Sequence, residues 1–355
     1  FCWVVAAELG FIGIAEGVAA ALANNATPVP EVAASDLTDP TPAELLTGSP
    51  LPPPVSVERL FTLWNFDLIW ILVCAFGIFF YLAGVWRLRK RGDAWPVYRT
   101  VLFVAGMLLL FYVTNGGVNV YERFLFSQHM LAHMVLGMAV PVLLVPGAPI
   151  TLALRAIAKR TDGSRGAREW ILLLVHSRLF AVLAHPIVAS LLFATSLWAF
   201  YYTPLFSWAT TNHIGHEWMI VHFLLTGYLF VSVLIGVDPS PSRPPYPVRF
   251  LILLATMVFH AVLGLALLSG SVLLLADWYG AMGNGVDALA DQQAGGGIAW
   301  SVGEIPTVAL AIVVAIMWSR SDDREATRHV RTAERDGDAE LAAYNAMLAD
   351  RARRG

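Results

Sequence analysis

The sequence is poor in charge and almost free of cysteine, and each shortage excludes a class of protein. Charged residues make up 14% of its 355 residues while hydrophobic residues reach 57%. Soluble domains carry about 25% charged residues, so a soluble globular protein is excluded and a polytopic membrane protein remains. The two cysteines, Cys2 and Cys74, both fall in apolar helical stretches, which rules out a disulfide framework or a cysteine-rich metal cluster. No activated nucleophile and no acid–base pair is visible, so the chain reads as a non-enzyme. No secretory signal precedes the first apolar run and the sequence opens on Phe1 rather than Met, so its start reads as the middle of something longer. Net charge adds nothing, because orientation in a bilayer depends on where Lys and Arg fall, not on their total.

What the chain does have is apolar runs, and they predict an all-α polytopic membrane helix bundle. One extra N-terminal helix covers about 1–23, and a Pro- and Ala-rich linker follows over 24–60. Its composition suits an extended connector, not a packed core. Seven core transmembrane helices are expected within 61–319, at roughly 67–87, 98–118, 126–146, 179–201, 215–237, 249–271 and 302–319. A charged tail over 320–355 closes the chain, and within it Ala339 to Arg354 has the pattern of a surface helix. Glu8 and Glu16 form a polar patch on the N-terminal helix that belongs with whatever precedes it.

The loop charges alternate. Arg87, Arg89, Lys90, Arg91 and Arg99 follow the first core helix, and Arg155, Lys159, Arg160, Arg165, Arg168 and Arg178 follow the third. Arg243 and Arg249 follow the fifth; Arg320, Arg324 and Arg328 follow the seventh. The intervening loops are nearly bare, with Arg123 after the second helix and no Lys or Arg over 201–215 or 271–299. By the positive-inside rule the basic loops and the C-terminus are cytoplasmic and the bare loops external. Tyr201, Tyr202, Trp208, Trp278, Tyr279 and Trp300 would then form an outer aromatic belt.

On this topology the histidines gather in one leaflet. His129 and His133 lie four residues apart at the start of the third core helix, so both rings project from one face. His213 and His216 sit at the outer mouth of the fifth helix, His222 about two turns deeper, and His260 near mid-membrane on the sixth. Asp291 and Gln292 lie in the bare loop, and Glu304 enters the seventh helix from outside. Polar groups inside a bilayer are expensive and usually functional. A lone membrane histidine such as His185 or His213 is often satisfied by a neighbouring carbonyl or hydroxyl, whereas two imidazoles facing one way need a shared purpose. His329 in the charged tail reads as a solvated side chain. Met130, Met134 and Met138 form a stripe beside the histidines; thioethers suit Cu(I), although such stripes are more often helix packing. Imidazole with thioether and no thiolate favours copper over an iron–sulfur cluster or structural zinc. HEWMIVH, from His216 to His222, is not a zinc-protease motif, because that motif needs its histidines at i and i+4. Here the spacing of six turns the second ring about 120° from the first.

These same residues carry a resemblance. FSQHMLAHMVLGMAVPVLLVPGAPITLALRA (126–156), HEWMIVHFLLTGYLF (216–230), FHAVLGLALLSG (259–270) and DQQAGGGIAWSVGEIP (291–306) resemble, in order, the CtaG family of cytochrome c oxidase assembly factors associated with caa3-type oxidases. The likeness covers the seven-helix portion. The first helix and its exit ALANNATPVP (21–30) are similar to the end of a copper resistance protein D domain, which in some relatives is fused ahead of the CtaG domain. The resemblance implies a multi-pass protein of the bacterial plasma membrane that assembles the oxidase, with copper delivery to the oxidase catalytic subunit as its task. It carries over His129, His133, His216, His222 and His260 as candidate metal ligands, with Asp291, Gln292 and Glu304 as candidates for orienting the imidazoles through their free N–H groups. The partners implied are the oxidase subunit and the lipid bilayer, with no nucleic acid. A copper transporter is the main rival reading, but it needs a polar path to the other face, where only His185 lies. A b-type haem carrier, with paired histidines as axial ligands, is a third.

Overall fold

Capping residues and prolines set the ends of the helices formed by these apolar runs. In the computed structural model, which describes residues 39–160, 162, 164–239, 243–337 and 339–354, two short helices come first: α1 (Pro42–Thr47) and α2 (Val57–Thr62). Asp67 then starts α3 (Leu68–Lys90) by accepting from the free N–H groups of Ile69 and Trp70, donors that the helix itself leaves orphaned. Next are α4 (Val97–Asn115), the short α5 (Gly117–Glu122) and α6 (Phe126–Met134). The chain continues from α6 through a π-helical turn, Val135–Ala139, into α7 (Val140–Leu144), and then α8 (Pro149–Ala156), α9 (Ala167–Val175) and α10 (Arg178–Leu183). Pro186 opens α11 (Pro186–Tyr201) at the position where a missing N–H costs least, and a 77° bend joins it to α12 (Pro204–Thr211). Asn212 caps α13 (His213–Ile235), which Gly236 ends in the left-handed conformation at φ +60°. The last helices are α14 (Tyr246–Leu268), α15 (Ala288–Asp336) and α16 (Ala339–Arg354). These helices all fall within the unit Pro42–Gly355. The expected N-terminal helix at 1–23, with Glu8 and Glu16, lies outside the described residues, as does the first part of the linker.

Among the described residues there is no strand, and six helical segments are long and apolar enough to cross a membrane. The bent pair α11–α12 makes a seventh if it counts as one span. The all-α bundle is therefore present, with two departures from expectation. The run expected at 179–201 is broken before Pro186, because proline disfavours helix in the residue ahead of it. The helix expected at 302–319 instead runs 49 residues, from Ala288 to Asp336, with Pro306 inside it. Asp287 caps its start, accepting from the N–H groups of Leu289 and Ala290. Close packing extends it: a side chain at Gly264 of α14 would press on Trp300 Cβ at 3.0 Å and on Gly296 O at 3.1 Å. Small residues at such a crossing let two backbones approach inside a membrane.

The centre of the bundle is α13, packed on α11, α12, α7 and the π-helical turn, while α6 packs along α15. Pro141 has no N–H to give the carbonyl of Gly137. That carbonyl faces Gly227 of α13, where any Cβ would collide with it, so a glycine is required at the crossing. The exposed faces are apolar, as on α3 with Phe76, Phe79 and Phe80, which suits a hydrocarbon surround rather than water.

The two ends of the bundle differ. At one end Arg91 donates to Arg155 O (3.2 Å) and Ala156 O (3.0 Å), and Arg168 donates to Leu154 O. Asp238, just beyond α13, accepts from the N–H of Thr151 at 2.8 Å. Basic loops that follow alternate helices thus meet in space. At the opposite end Asp67 N–H donates to Asn115 Oδ1 (2.7 Å), Ser127 N–H to Asp291 Oδ2 (3.2 Å) and Trp278 Nε1–H to Arg123 O (2.8 Å).

Candidate metal centre

The start of α6 lies at the end of the bundle away from the basic loops, and it carries FSQHMLAHM. Spacing by four puts His129 and His133 on one face, and the packing of α6 against its neighbours buries both, at 2% and 1% exposure. Their ring centroids are 4.2 Å apart. Phe126, Phe206 and Tyr279 surround His129, while Phe200 and Phe223 close over His133. The pair therefore stands buried in an aromatic box.

Polar contacts inside that box are few and specific. His133 Nδ1 is 2.9 Å from Tyr201 Oη, and His133 Nε2 is 3.0 Å from Met219 Sδ on α13. Tyr201 Oη also reaches Met130 Sδ at 3.8 Å. A metal at Nε2 requires the ring proton on Nδ1. Tyr201 is placed to accept that proton's hydrogen bond while turning its own O–H toward Met130. Among the described residues, His129 Nε2 is buried with no hydrogen-bond partner. An orphaned buried nitrogen is uncommon and costs about 1–3 kcal/mol. Two neutral imidazoles and adjacent thioethers form a donor set that fits a soft monovalent ion such as Cu(I).

Beside the pair lies a second buried polar group. Glu122, at the end of α5, accepts from Asn119 Nδ2 at 2.7 Å and meets His216 Nε2 at 2.9 Å. Its backbone carbonyl accepts from Tyr279 Oη at 3.2 Å, and the same tyrosine ring edges on to His129. His216 and Met219 are three residues apart on α13 and so share the face turned toward α6.

The sequence-predicted residues have different immediate neighbours. His129 and His133 are together, whereas His216 is committed to Glu122. His222 stacks on Trp218, ring centroids 4.9 Å apart, and among the described residues no ring contact joins it to the pair. His260, on α14, stacks on Phe193 and has its own buried, unpartnered Nε2. Asp291 holds Ser127 N–H, and Gln292 pins the preceding loop through Leu274 N–H (2.7 Å) and Val272 O (2.9 Å). Among the described residues, neither side chain is hydrogen-bonded to an imidazole. Glu304 is half-buried on α15, and its side chain makes no hydrogen bond among the described residues. Among those residues, the one trio of His, Cys, Asp or Glu with ligand atoms all within 4.8 Å is Asp67, His213 and Glu217, at the open end of α13. There Asp67 caps α3 and Glu217 accepts from Trp70 Nε1 at 2.7 Å. His185 starts α11, about 24 Å along that helix from Tyr201 at 1.5 Å per residue.

Three side chains that contact these histidines do not stand out as site residues in the sequence. Tyr201 was assigned to an aromatic belt but is 2% exposed and bonded to His133. Met219 lay outside the methionine stripe, and Glu122 was passed over. A carboxylate in the apolar stretch just ahead of His129 was the one signal available for Glu122.

Comparison with known proteins gives the family. Residues 79–321 match the cytochrome c oxidase caa3 assembly factor family. The chain is 43% identical over 317 residues to uncharacterised proteins of Mycobacterium bovis and Mycobacterium tuberculosis, and 42% identical to one of Mycobacterium leprae. Each alignment covers 87% of this chain and 48% of the relative, so the chain spans about half the length of the curated relatives it matches. No solved structure matches it. The chain belongs to the cytochrome c oxidase caa3 assembly factor family.

Proposed function

We propose that this region holds Cu(I) at the His129–His133 centre and passes it to the catalytic subunit of a cytochrome c oxidase during assembly. The observation that carries this reading is the buried imidazole pair, with one nitrogen unpartnered and a thioether 3.0 Å from the other ring. His129 and His133 bind the ion. Tyr201 fixes the His133 ring and its tautomer, and such outer partners set both orientation and basicity of a ligating imidazole. The Glu122 carboxylate, in a low-dielectric surround, offsets part of the positive charge that the ion brings. The aromatic box keeps water from the ion. The role is non-catalytic.

Direction follows from charge. The basic loops meet at the end opposite the centre, and the positive-inside rule makes that end cytoplasmic. The centre then faces the outside, at membrane depth, where a buried copper position of an oxidase has to be filled. Copper is here cargo rather than a resident cofactor.

The test is a His129→Ala/His133→Ala variant of the full-length protein, followed for folded yield, oxidase activity and total cell copper. Assembly predicts a fall in oxidase activity, cell copper near normal and partial rescue by added copper through mass action. Normal oxidase with disturbed cell copper would support transport instead and sink the assembly role.

A further inference from the structure

We infer that the chain has a second Cu(I) site, separate from the His129–His133 pair, formed by His260 Nε2 and the thioethers of Met134 and Met138 around the empty side-chain position of Gly303. The inference deepens the copper reading above and rests on it for the identity of the ion.

The geometry comes from three helical segments. A Cβ built on Gly303 of α15 would stand 3.0 Å from Met134 Sδ, 3.7 Å from Met138 Sδ and 3.5 Å from His260 Cδ2. The two sulfurs and the edge of the imidazole that carries Nε2 therefore converge on one point, and the glycine leaves that point open. His260 is 6% exposed, and its Nε2 is buried without a hydrogen-bond partner. Both methionines are buried as well. A packing role accounts for the thioethers alone. It does not account for an unpartnered imidazole nitrogen among them, which is destabilising if nothing binds it.

The π-helical turn brings the sulfurs into line. Four residues of regular α-helix advance by about 400°, which would leave Met138 about 40° past Met134. The wider π turn over Val135–Ala139 takes back part of that overshoot, and such turns are frequent at functional sites. On α6 itself, His133 and Met134 are consecutive and so about 100° apart. One face therefore serves the histidine centre, toward α13, and the next serves this site, toward α14 and α15.

The donor chemistry agrees with that ion. Two thioethers and one neutral imidazole carry no charge and are soft donors, which match Cu(I) and not Zn²⁺ or Mg²⁺. A monovalent ion is also far cheaper to hold in a low-dielectric interior, since the Born cost rises with the square of the charge, about fourfold for a divalent one. Two soft sites on adjacent faces of one helix give the ion two holding points at different places in the bundle.

The experiment is an anaerobic Cu(I) titration of the purified protein in detergent against a chromophoric Cu(I) chelator, with copper-edge X-ray absorption to count sulfur neighbours. Wild type should take up two Cu(I) per chain. Met134→Leu/Met138→Leu, which nearly conserves volume, should take up one and show fewer sulfur neighbours per copper. Gly303→Ala, which pushes a methyl group onto Met134 Sδ, should lose the same equivalent and gives an independent route if the leucine variant folds poorly. His129→Ala/His133→Ala should keep one Cu(I) with a sulfur-rich shell. Full binding by the methionine and glycine variants, or a single Cu(I) in wild type that the histidine variant loses, overturns the second site. Loss of all copper in the methionine variant also overturns it, because the sulfurs would then belong to the histidine centre. Full binding by the histidine variant with loss in the methionine variant would instead overturn the paired-imidazole reading and leave this site standing.

Discussion

Changing Tyr201 to Phe removes one oxygen atom from the centre and keeps the ring that packs against Phe126, Phe200 and Phe206. The oxygen is 2.9 Å from His133 Nδ1, both side chains are buried, and no other polar group of the described residues is bonded to that nitrogen. Two effects follow. In the metal-free protein a buried ring nitrogen loses its partner, a cost of about 1–3 kcal/mol. On metal binding, the imidazole loses the group that held its proton on Nδ1 and its lone pair on Nε2. Loss of such a partner lowers metal affinity by about 10–100-fold, or about 1.4–2.8 kcal/mol. The assay is a pair of measurements on detergent-purified protein: Cu(I) affinity by chelator competition and thermal unfolding without copper. Tyr201→Phe should weaken binding at the His129–His133 centre by at least tenfold and lower the unfolding midpoint by a few degrees. If the tyrosine merely fills space, phenylalanine fills it equally well and neither quantity moves. Affinity within about threefold of wild type, with an unchanged midpoint, refutes the role assigned to Tyr201.

The buried Glu122 gives a stability prediction: Glu122→Ala leaves Asn119 and His216 without their partner and should destabilise the fold by about 1–3 kcal/mol. Glu122→Gln keeps an acceptor for both and should lose less, so equal losses in folded yield and unfolding midpoint for the two variants would remove the carboxylate from the account. For topology, single cysteines placed in 280–290 should react with an impermeant label added from outside, and those at 160–166 should not, because the basic loops lie at the other end of the bundle. The reverse pattern would turn the copper centre toward the cytoplasm and end the delivery reading.

Much of this protein was legible along the chain because the signals involved are local. Six of the long helices coincide with apolar runs, since hydropathy over about 20 residues decides whether a segment can span a bilayer. The pairing of His129 with His133 was legible for the same reason, because four residues is about one helical turn and needs no knowledge of the fold. Even the bend between α11 and α12 is marked by Thr203 and Pro204, where the next helix takes its cap and first residue. The long α15 was less legible: the glycines that let it press on α14 read as loop until a partner helix is placed beside them.

The division between the two sources is clearest at the centre itself. The sequence determined that two imidazoles would share a face inside an apolar helix, that basic loops would alternate, and that soft methionine donors would stand nearby. Tertiary structure alone decided what each imidazole meets. Tyr201 is 68 residues from His133 in the chain and Met219 is 86 away, and their arrival depends on the bend after α11 and on how α13 crosses α6. It also gave the other three histidines their own neighbours, Glu122 for His216, Trp218 for His222 and the methionines around Gly303 for His260. The physical reason is that periodicity sets which way a side chain points from its own helix, whereas its partners are set by the rotation and crossing of other helices, and those angles are fixed by glycine contacts and proline breaks that no single run contains.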